Sequence, residues 1–247
     1  MERSGSGGRP GSSMSEPKAA AVNAQYNVAA PDSLPVRIAG YQRRKMFAKF
    51  TVAMGVGEDD TIVDVGATSD RSYDHSNYLE AWHPHKHRVT AVGVDDAKFL
   101  ETVYPGMRFV QADGRDLPFE DASFDYAHSS AVLEHVGSAE KQAKFLSELW
   151  RVSRKGVFVT TPNRWFPIEF HTMLPLVHWL PTGVHRPVFR ATGRAFFADE
   201  ENLNLLSRRT LAAAARAAGI GRFRIETVSL AGWPTNLLLI AHKPKAG

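Results

Sequence analysis

The sequence predicts a doubly wound α/β sheet of about seven strands, in three α/β/α layers, that ends in an antiparallel hairpin. Short β-branched runs recur through the first two thirds of the chain with helical stretches between them, the pattern of buried parallel strands joined by crossover helices. The last two apolar runs are separated only by Ala231-Gly-Trp-Pro234, too short for a crossover and suited to a hairpin. The 247 residues, 43% of them hydrophobic, are long for one domain and too short for two.

In chain order, Met1 to Ala20 is rich in Gly, Ser and Pro and has no apolar core. It reads as part of a disordered tail over residues 1–30, not as a secretory leader, with the domain over 31–247. Leu34 to Met54 is predicted helical, since Val36, Ile38, Met46, Phe47 and Phe50 alternate with Arg37, Arg43, Arg44 and Lys45. Thr61 to Val65 is the first strand and ends on Gly66. A helix follows around Tyr78 to Trp82, then a strand at Val89 to Val94. Strands at Arg108 to Gln111 and Phe124 to Ala127 precede a long amphipathic helix at Glu140 to Val152. The fifth strand is Gly156 to Thr160. Arg208 to Ala218 is an alanine-rich helix stopped by Gly219, and Phe223 to Leu230 and Leu237 to His242 form the closing hairpin.

Composition excludes several classes. Without cysteine there is no disulfide, thiolate metal site or cysteine nucleophile. The net charge of +4 is spread, not blocked, so nucleic acid is not an expected partner. No apolar run approaches the ~20 residues of a membrane span. A cytoplasmic location is the expectation.

In a doubly wound sheet, ligands bind at the carboxyl ends of the strands where strand order reverses. The first strand ends Asp64-Val-Gly66, and a glycine there lets a ligand approach without a Cβ in the way. The second ends on Asp95 and Asp96, acids placed for the hydroxyls of a ribose. The third ends Asp113-Gly114, where a carboxylate can accept from the amine of adenine and the next N–H can meet a ring nitrogen. Each signal alone is weak, since acids at strand ends are commonly caps. Together, at successive strand ends, they predict a nucleoside site.

The order Val-Asp-Val-Gly (63–66), Gly-Val-Asp (93–95), Ala-Asp-Gly-Arg-Asp-Leu-Pro-Phe (112–119) and Phe-Asp-Tyr-Ala-His-Ser-Ser-Ala-Val-Leu-Glu-His-Val (124–136) resembles the class I S-adenosylmethionine-dependent methyltransferases. Within them it is most similar to the ubiquinone/menaquinone-methyltransferase-like group with its type 11 domain. The resemblance covers about Thr61 to Thr161 and implies a Rossmann-like fold with S-adenosylmethionine as cofactor. It implies that Asp64, Gly66 and Ala67 line the methionine end, that Asp95 with Asp96 holds the ribose, and that Asp113 with Gly114 holds adenine. Ser129 and Ser130, just past strand four, would sit near the sulfonium.

Two departures stand out. The usual glycine-rich loop after strand one is here Gly66-Ala-Thr-Ser-Asp70, with one glycine, so Thr68, Ser69 and Asp70 are expected to contribute side-chain contacts instead. Asp64 and Asp95 are 31 residues apart, against ~20 in a typical nucleotide-binding unit. That longer region contains His83-Pro-His-Lys-His87. No acidic pair completes a ligand shell there, so no metal is assigned.

Pro162 to Asn204 reads as an insert forming a lid over the acceptor site, rich in Trp165, Phe166, Phe170, Leu174, Leu176, Trp179 and Leu180, with prolines breaking any long helix. It suits a small or lipid-like acceptor, with peripheral membrane contact. An oxygen acceptor must lose a proton, and His171, with Glu169 nearby, is the candidate base, with His178 and His135 as rivals. Two other readings stay open. A nicotinamide-dependent oxidoreductase or epimerase would need Gly-x-Gly-x-x-Gly after strand one, which is lacking. A non-catalytic binding module on the same fold is compatible with the thinned glycine loop.

Overall fold

A computed structural model describes residues 33–71, 75–169 and 171–244. The expected tail over residues 1–30 and Phe170 of the lid lie outside the described residues. Helix α1 (Leu34–Met54) ends at Gly55, whose φ of 64° makes the left-handed cap that closes it. There follow β1 (Ile62–Val65), α2 (Tyr78–Trp82), β2 (Val89–Gly93), α3 (Leu100–Val103), β3 (Arg108–Gln111), β4 (Phe124–Ser130), α4 (Ala139–Val152) and β5 (Ser153–Pro162). The chain then forms α5 (Thr182–Ala191), α6 (Arg208–Ala217), β6 (Arg224–Leu230) and β7 (Trp233–His242). The sheet order is β3-β2-β1-β4-β5-β7-β6. The first five strands are parallel, and β7 runs antiparallel to both neighbours. Strand order therefore reverses between β1 and β4, where a ligand crevice is expected.

Apolar side chains fill both faces. Met46, Phe50 and Met54 recur every fourth residue of α1 and pack with Tyr78, Leu79 and Leu100 on one face. On the other, Phe145, Leu146, Leu149 and Val152 of α4 meet Leu211 and Ala215 of α6. Each such fully buried side chain stabilises by ~1.5–3 kcal/mol relative to exposure. Helix α6 starts at a reciprocal cap: the Thr210 N–H donates to Ser207 Oγ (3.2 Å), and the Ser207 N–H donates to Thr210 Oγ1 (2.9 Å).

Three details differ from the sequence expectations. The hairpin needs only Ala231 and Gly232, with φ of 49° and 82°, so β7 already begins at Trp233. Pro234 is tolerated inside that strand because a register shift between Val228 and Ser229 lies opposite it. Strand β4 extends to Ser130, which puts Ser129 and Ser130 within the strand and not past it. In the insert, α5 continues through Pro187 and gives up one backbone bond. The insert has a small core of its own, Phe189, Phe197, Ala198 and Leu203.

Candidate active site

A cleft of about 360 Å³ opens at the carboxyl ends of β1 to β4. Of the residues singled out in the sequence, Gly66, Ala67, Thr68, Asp113, Gly114, Ser130, His135 and His171 line it. Gly66 has φ of 121°, and a Cβ there would come within 2.0 Å of Val132 Cγ2. A Cβ on Gly114 would meet Phe145 Cε2 at 2.4 Å and Val65 Cγ1 at 2.7 Å. Both positions are therefore glycine because backbone and wall approach too closely for a side chain.

The loop after β1 is held by the protein itself. The N–H groups of Gly66 and Ala67 both donate to the Val92 carbonyl, at 2.8 and 2.9 Å. The Thr68 N–H donates to Asn77 Oδ1, while Asn77 Nδ2 donates to the Thr68 carbonyl. Its hydroxyl accepts from the Asp70 N–H. Asn77 thus ties down the loop that additional glycines would have shaped. Ser69 and Asp70 do not line the cleft.

Asp64 is not among the lining residues either. It faces the α1 side of the sheet, where its carboxyl lies 2.6 Å from His128 Nδ1, and the far ring nitrogen of His128 is 3.0 Å from the Tyr78 hydroxyl. Burial pushes Asp64 up to about 7 and His128 down to about 4, so burial works against the charged form of each. Glu80, also fully buried beside Asp64, is raised by burial and by that neighbour. Ser129 is likewise turned away and donates to the Val65 carbonyl at 2.6 Å.

Asp95 stands one residue beyond Val94 of the lining. Its Oδ2 is shielded from solvent and has no donor among the described residues. Asp96 caps the turn by accepting from the Lys98 N–H. Asp113 accepts from Arg115 Nε and Nη2, at 3.0 and 2.6 Å, and the hydrogen bonds from Arg115 hold it below the usual carboxylate range. Behind it, Glu148 of α4 accepts from the buried Leu117 N–H and from Arg151, and Arg151 donates to the Leu117 and Phe119 carbonyls.

A histidine pair links the segment after β5 to the loop after β4 at the edge of the cleft. His135 Nδ1 donates to the Asn202 carbonyl at 2.6 Å, which leaves its Nε2 as an acceptor 3.0 Å from His171 Nε2. His171 Nδ1 is 2.6 Å from Glu169 Oε1. Burial disfavours a charge on His171, but the Glu169 carboxylate outweighs it and raises the group above the usual imidazole range. His171 therefore donates from both nitrogens. Burial and the neighbouring His171 push His135 down to about 3. His178 is buried elsewhere, donating to the Phe166 carbonyl, and does not line the cleft.

His83, His85 and His87 stack edge to face with ring centroids 5.9 and 6.2 Å apart. Among the described residues their nitrogens do not converge on one point with a third ligand. Sequence reasoning missed Arg43, Ser76 and Glu201, which also line the cleft. Arg43 sits in a basic run on α1, and only the tertiary fold distinguishes it from its neighbours.

Residues 73–160 match the methyltransferase domain family. No curated protein matches the chain. Among solved structures, an S-adenosylmethionine-dependent methyltransferase from Aquifex aeolicus is similar at 16% identity, covering 85% of this chain and 99% of that one, with a TM-score of 0.53. One from Mesorhizobium loti is 18% identical, with coverages of 79% and 98% and a TM-score of 0.53. The cyclase SpnF is similar too, at 15% identity, coverages of 89% and 86%, and a TM-score of 0.55. These likenesses describe the fold, and SpnF is a reminder that the fold alone does not fix the chemistry.

The family match is to a methyltransferase domain, and the similar proteins from Aquifex aeolicus and Mesorhizobium loti are S-adenosylmethionine-dependent methyltransferases, which makes S-adenosylmethionine the cofactor to compare with the cleft. The residues present fit that cofactor: Asp95 offers a shielded acceptor without a donor, the glycines at 66 and 114 keep the walls bare, and the cleft has the volume of a small-molecule site.

Proposed function

We propose that the chain methylates an oxygen of a small or lipid-like acceptor in the cytoplasm, as an enzyme of the ubiquinone/menaquinone-methyltransferase-like kind. The observation that carries this reading is the cleft itself, bounded by Gly66, Gly93, Gly114 and Asp113 at the strand ends and by His171 and His135. When bound, S-adenosylmethionine supplies an electrophilic methyl group on a sulfonium. Asp95 holds the ribose through its unpartnered Oδ2, and Asp113, steadied by Arg115, faces the adenine with the Gly114 backbone. Ser130 lies toward the reacting end. The lid excludes water and fixes the acceptor, which for an in-line displacement is the larger part of catalysis. His171, oriented by Glu169 through Nδ1, first releases its Nε2 proton to solvent and then takes the acceptor's proton on Nε2. Trp165, Leu176, Leu180, Val184 and Trp233 are each about half exposed on and beside the lid, which supports a greasy acceptor or contact with a lipid surface. No helix among the described residues is long and apolar enough to cross a membrane.

Calorimetry tests the cofactor half. S-adenosylmethionine and S-adenosylhomocysteine should bind while NAD and NADP do not, and Asp95→Ala should weaken binding by at least roughly tenfold. Tight NAD binding without a response to S-adenosylhomocysteine would sink the reading. His171→Ala tests the acceptor half, on whichever phenol, sugar, quinone precursor or polyprenyl carrier a screen selects. Turnover should fall by ~10²-fold with S-adenosylhomocysteine affinity intact. Wild-type turnover in that variant removes His171 from the mechanism.

A further inference from the structure

We propose that Glu134, His135 and His171 form a binding site for one divalent transition-metal ion of the Zn²⁺ class, opening onto the cleft. Sequence spacing does not reveal this cluster, since His135 lies 36 and Glu134 37 residues from His171 and only the fold joins them. One ligand atom from each of the three lies within 4.8 Å of the other two. His135 Nε2 is 3.0 Å from His171 Nε2 and 3.8 Å from Glu134 Oε1. Ligands about 2.1 Å from a shared tetrahedral ion sit about 3.4 Å from one another, so these separations bracket what an ion requires.

The groups behind the ligands point the same way. Metal-binding imidazoles commonly donate their second N–H to a carbonyl or carboxylate, which fixes the tautomer and aims the other nitrogen at the ion. His135 does so to the Asn202 carbonyl and His171 to Glu169, both at 2.6 Å, and both therefore present Nε2. Glu134 is fully buried, and its Oε2 accepts from the Thr161 hydroxyl at 3.0 Å. Its Oε1, the oxygen nearer His135, has no donor among the described residues. A buried carboxylate oxygen without a donor is costly unless something cationic satisfies it. The hydrogen shared between the two Nε2 atoms marks the place an ion would take. Two histidines and a carboxylate with a fourth position facing a cleft is a ligand set that keeps one site open for an incoming oxygen. Oxygen-seeking Mg²⁺ and Ca²⁺ are poorly served by two imidazoles.

The test needs no turnover, so it stands apart from the methyl-transfer reading. Protein stripped with chelator is titrated with Co²⁺ and then Zn²⁺, following the visible bands of Co²⁺ and the heat of binding. One equivalent should bind, with Zn²⁺ displacing Co²⁺ and Mg²⁺ failing to. His171→Gln and Glu134→Gln should each weaken binding by more than about a hundredfold, and Glu169→Gln, whose carboxylate orients His171 and also accepts from the Thr172 N–H, by ~10–100-fold. S-adenosylhomocysteine affinity and thermal melting show that each variant is folded, and Glu169→Gln is the fallback if the others are not. His85→Gln/His87→Gln should leave the site unchanged. The proposal is overturned if wild type binds no tighter than folded His171→Gln, or if His85→Gln/His87→Gln abolishes binding.

Discussion

Gly66→Ala is expected to cost about 4 kcal/mol of stability and most of the affinity for S-adenosylhomocysteine. Two effects add. A φ of 121° is a conformation that an L side chain rarely adopts, with strain of about 1–3 kcal/mol. The new methyl group would also fall 2.0 Å from Val132 Cγ2, and forcing an extra carbon into a packed wall costs about 1–3 kcal/mol. For a domain of this size the sum corresponds to a fall in Tm of roughly 10 °C. Because Gly66 and Val132 both line the cleft, relief of the clash must move a wall of the cleft in which the cofactor is proposed to bind. The double variant Gly66→Ala/Val132→Ala removes the steric part and keeps the backbone strain, so it should recover about half of the lost stability. Denaturation curves and calorimetry on both variants decide the matter. A Gly66→Ala protein with wild-type Tm and affinity would show that the turn after β1 relaxes freely.

Glu148→Gln should lower stability by about 3 kcal/mol at neutral pH. Hydrogen bonds from Arg151 hold the Glu148 carboxyl down at about 2, and its side chain is only 6% exposed, so solvent screens the interaction little. A carboxylate with a folded value below its unfolded one stabilises fully above the unfolded value, near 4.5, and loses that contribution as pH falls toward 2. Wild type and Glu148→Gln should therefore differ most above about pH 4.5 and converge as pH approaches about 2. A gap that stays constant across this range would mean that shape, not charge, is what Glu148 supplies. The variant keeps one acceptor oxygen for the Leu117 N–H but loses the charge and second oxygen that hold Arg151, which weakens the Arg151 grip on the Leu117 and Phe119 carbonyls, so the turn carrying Asp113 and Gly114 should loosen.

Most of the fold was legible because its signals are local. Runs such as Thr61 to Val65 and Arg108 to Gln111 declare themselves by β-branching, and α4 by its apolar spacing. The glycines were legible too, since Gly66 and Gly114 answer a backbone requirement that follows directly from their place after a strand. What the sequence hid was direction. Asp64 and Ser129 stand in motif positions, yet the two-residue period of a strand turns Asp64 toward His128 and Ser129 toward the Val65 carbonyl. The segment after β5 was legible as apolar and broken by prolines. Its chemistry was not, because the pairing of His135 with His171 arises only when the insert folds back over the end of β4.

The position of β7 bears on how the chain must be made. It follows the other six described strands in the chain, yet it lies between β5 and β6 and pairs with both. While a ribosome extends the chain, β1 to β5 can assemble as a parallel sheet, but the open side of β5 has nothing to pair with. Strand β6 then emerges equally alone. At ~5–20 residues per second, the interval between Pro162 and His242 lasts on the order of 4–16 s. Throughout it, β5 exposes unpaired backbone beside Val157, Phe158 and Val159, an edge that invites pairing with other chains. Nascent-chain protection, by a chaperone or by the folding lid itself, matters most in those seconds, and slow decoding after codon 162 would lengthen the period of risk.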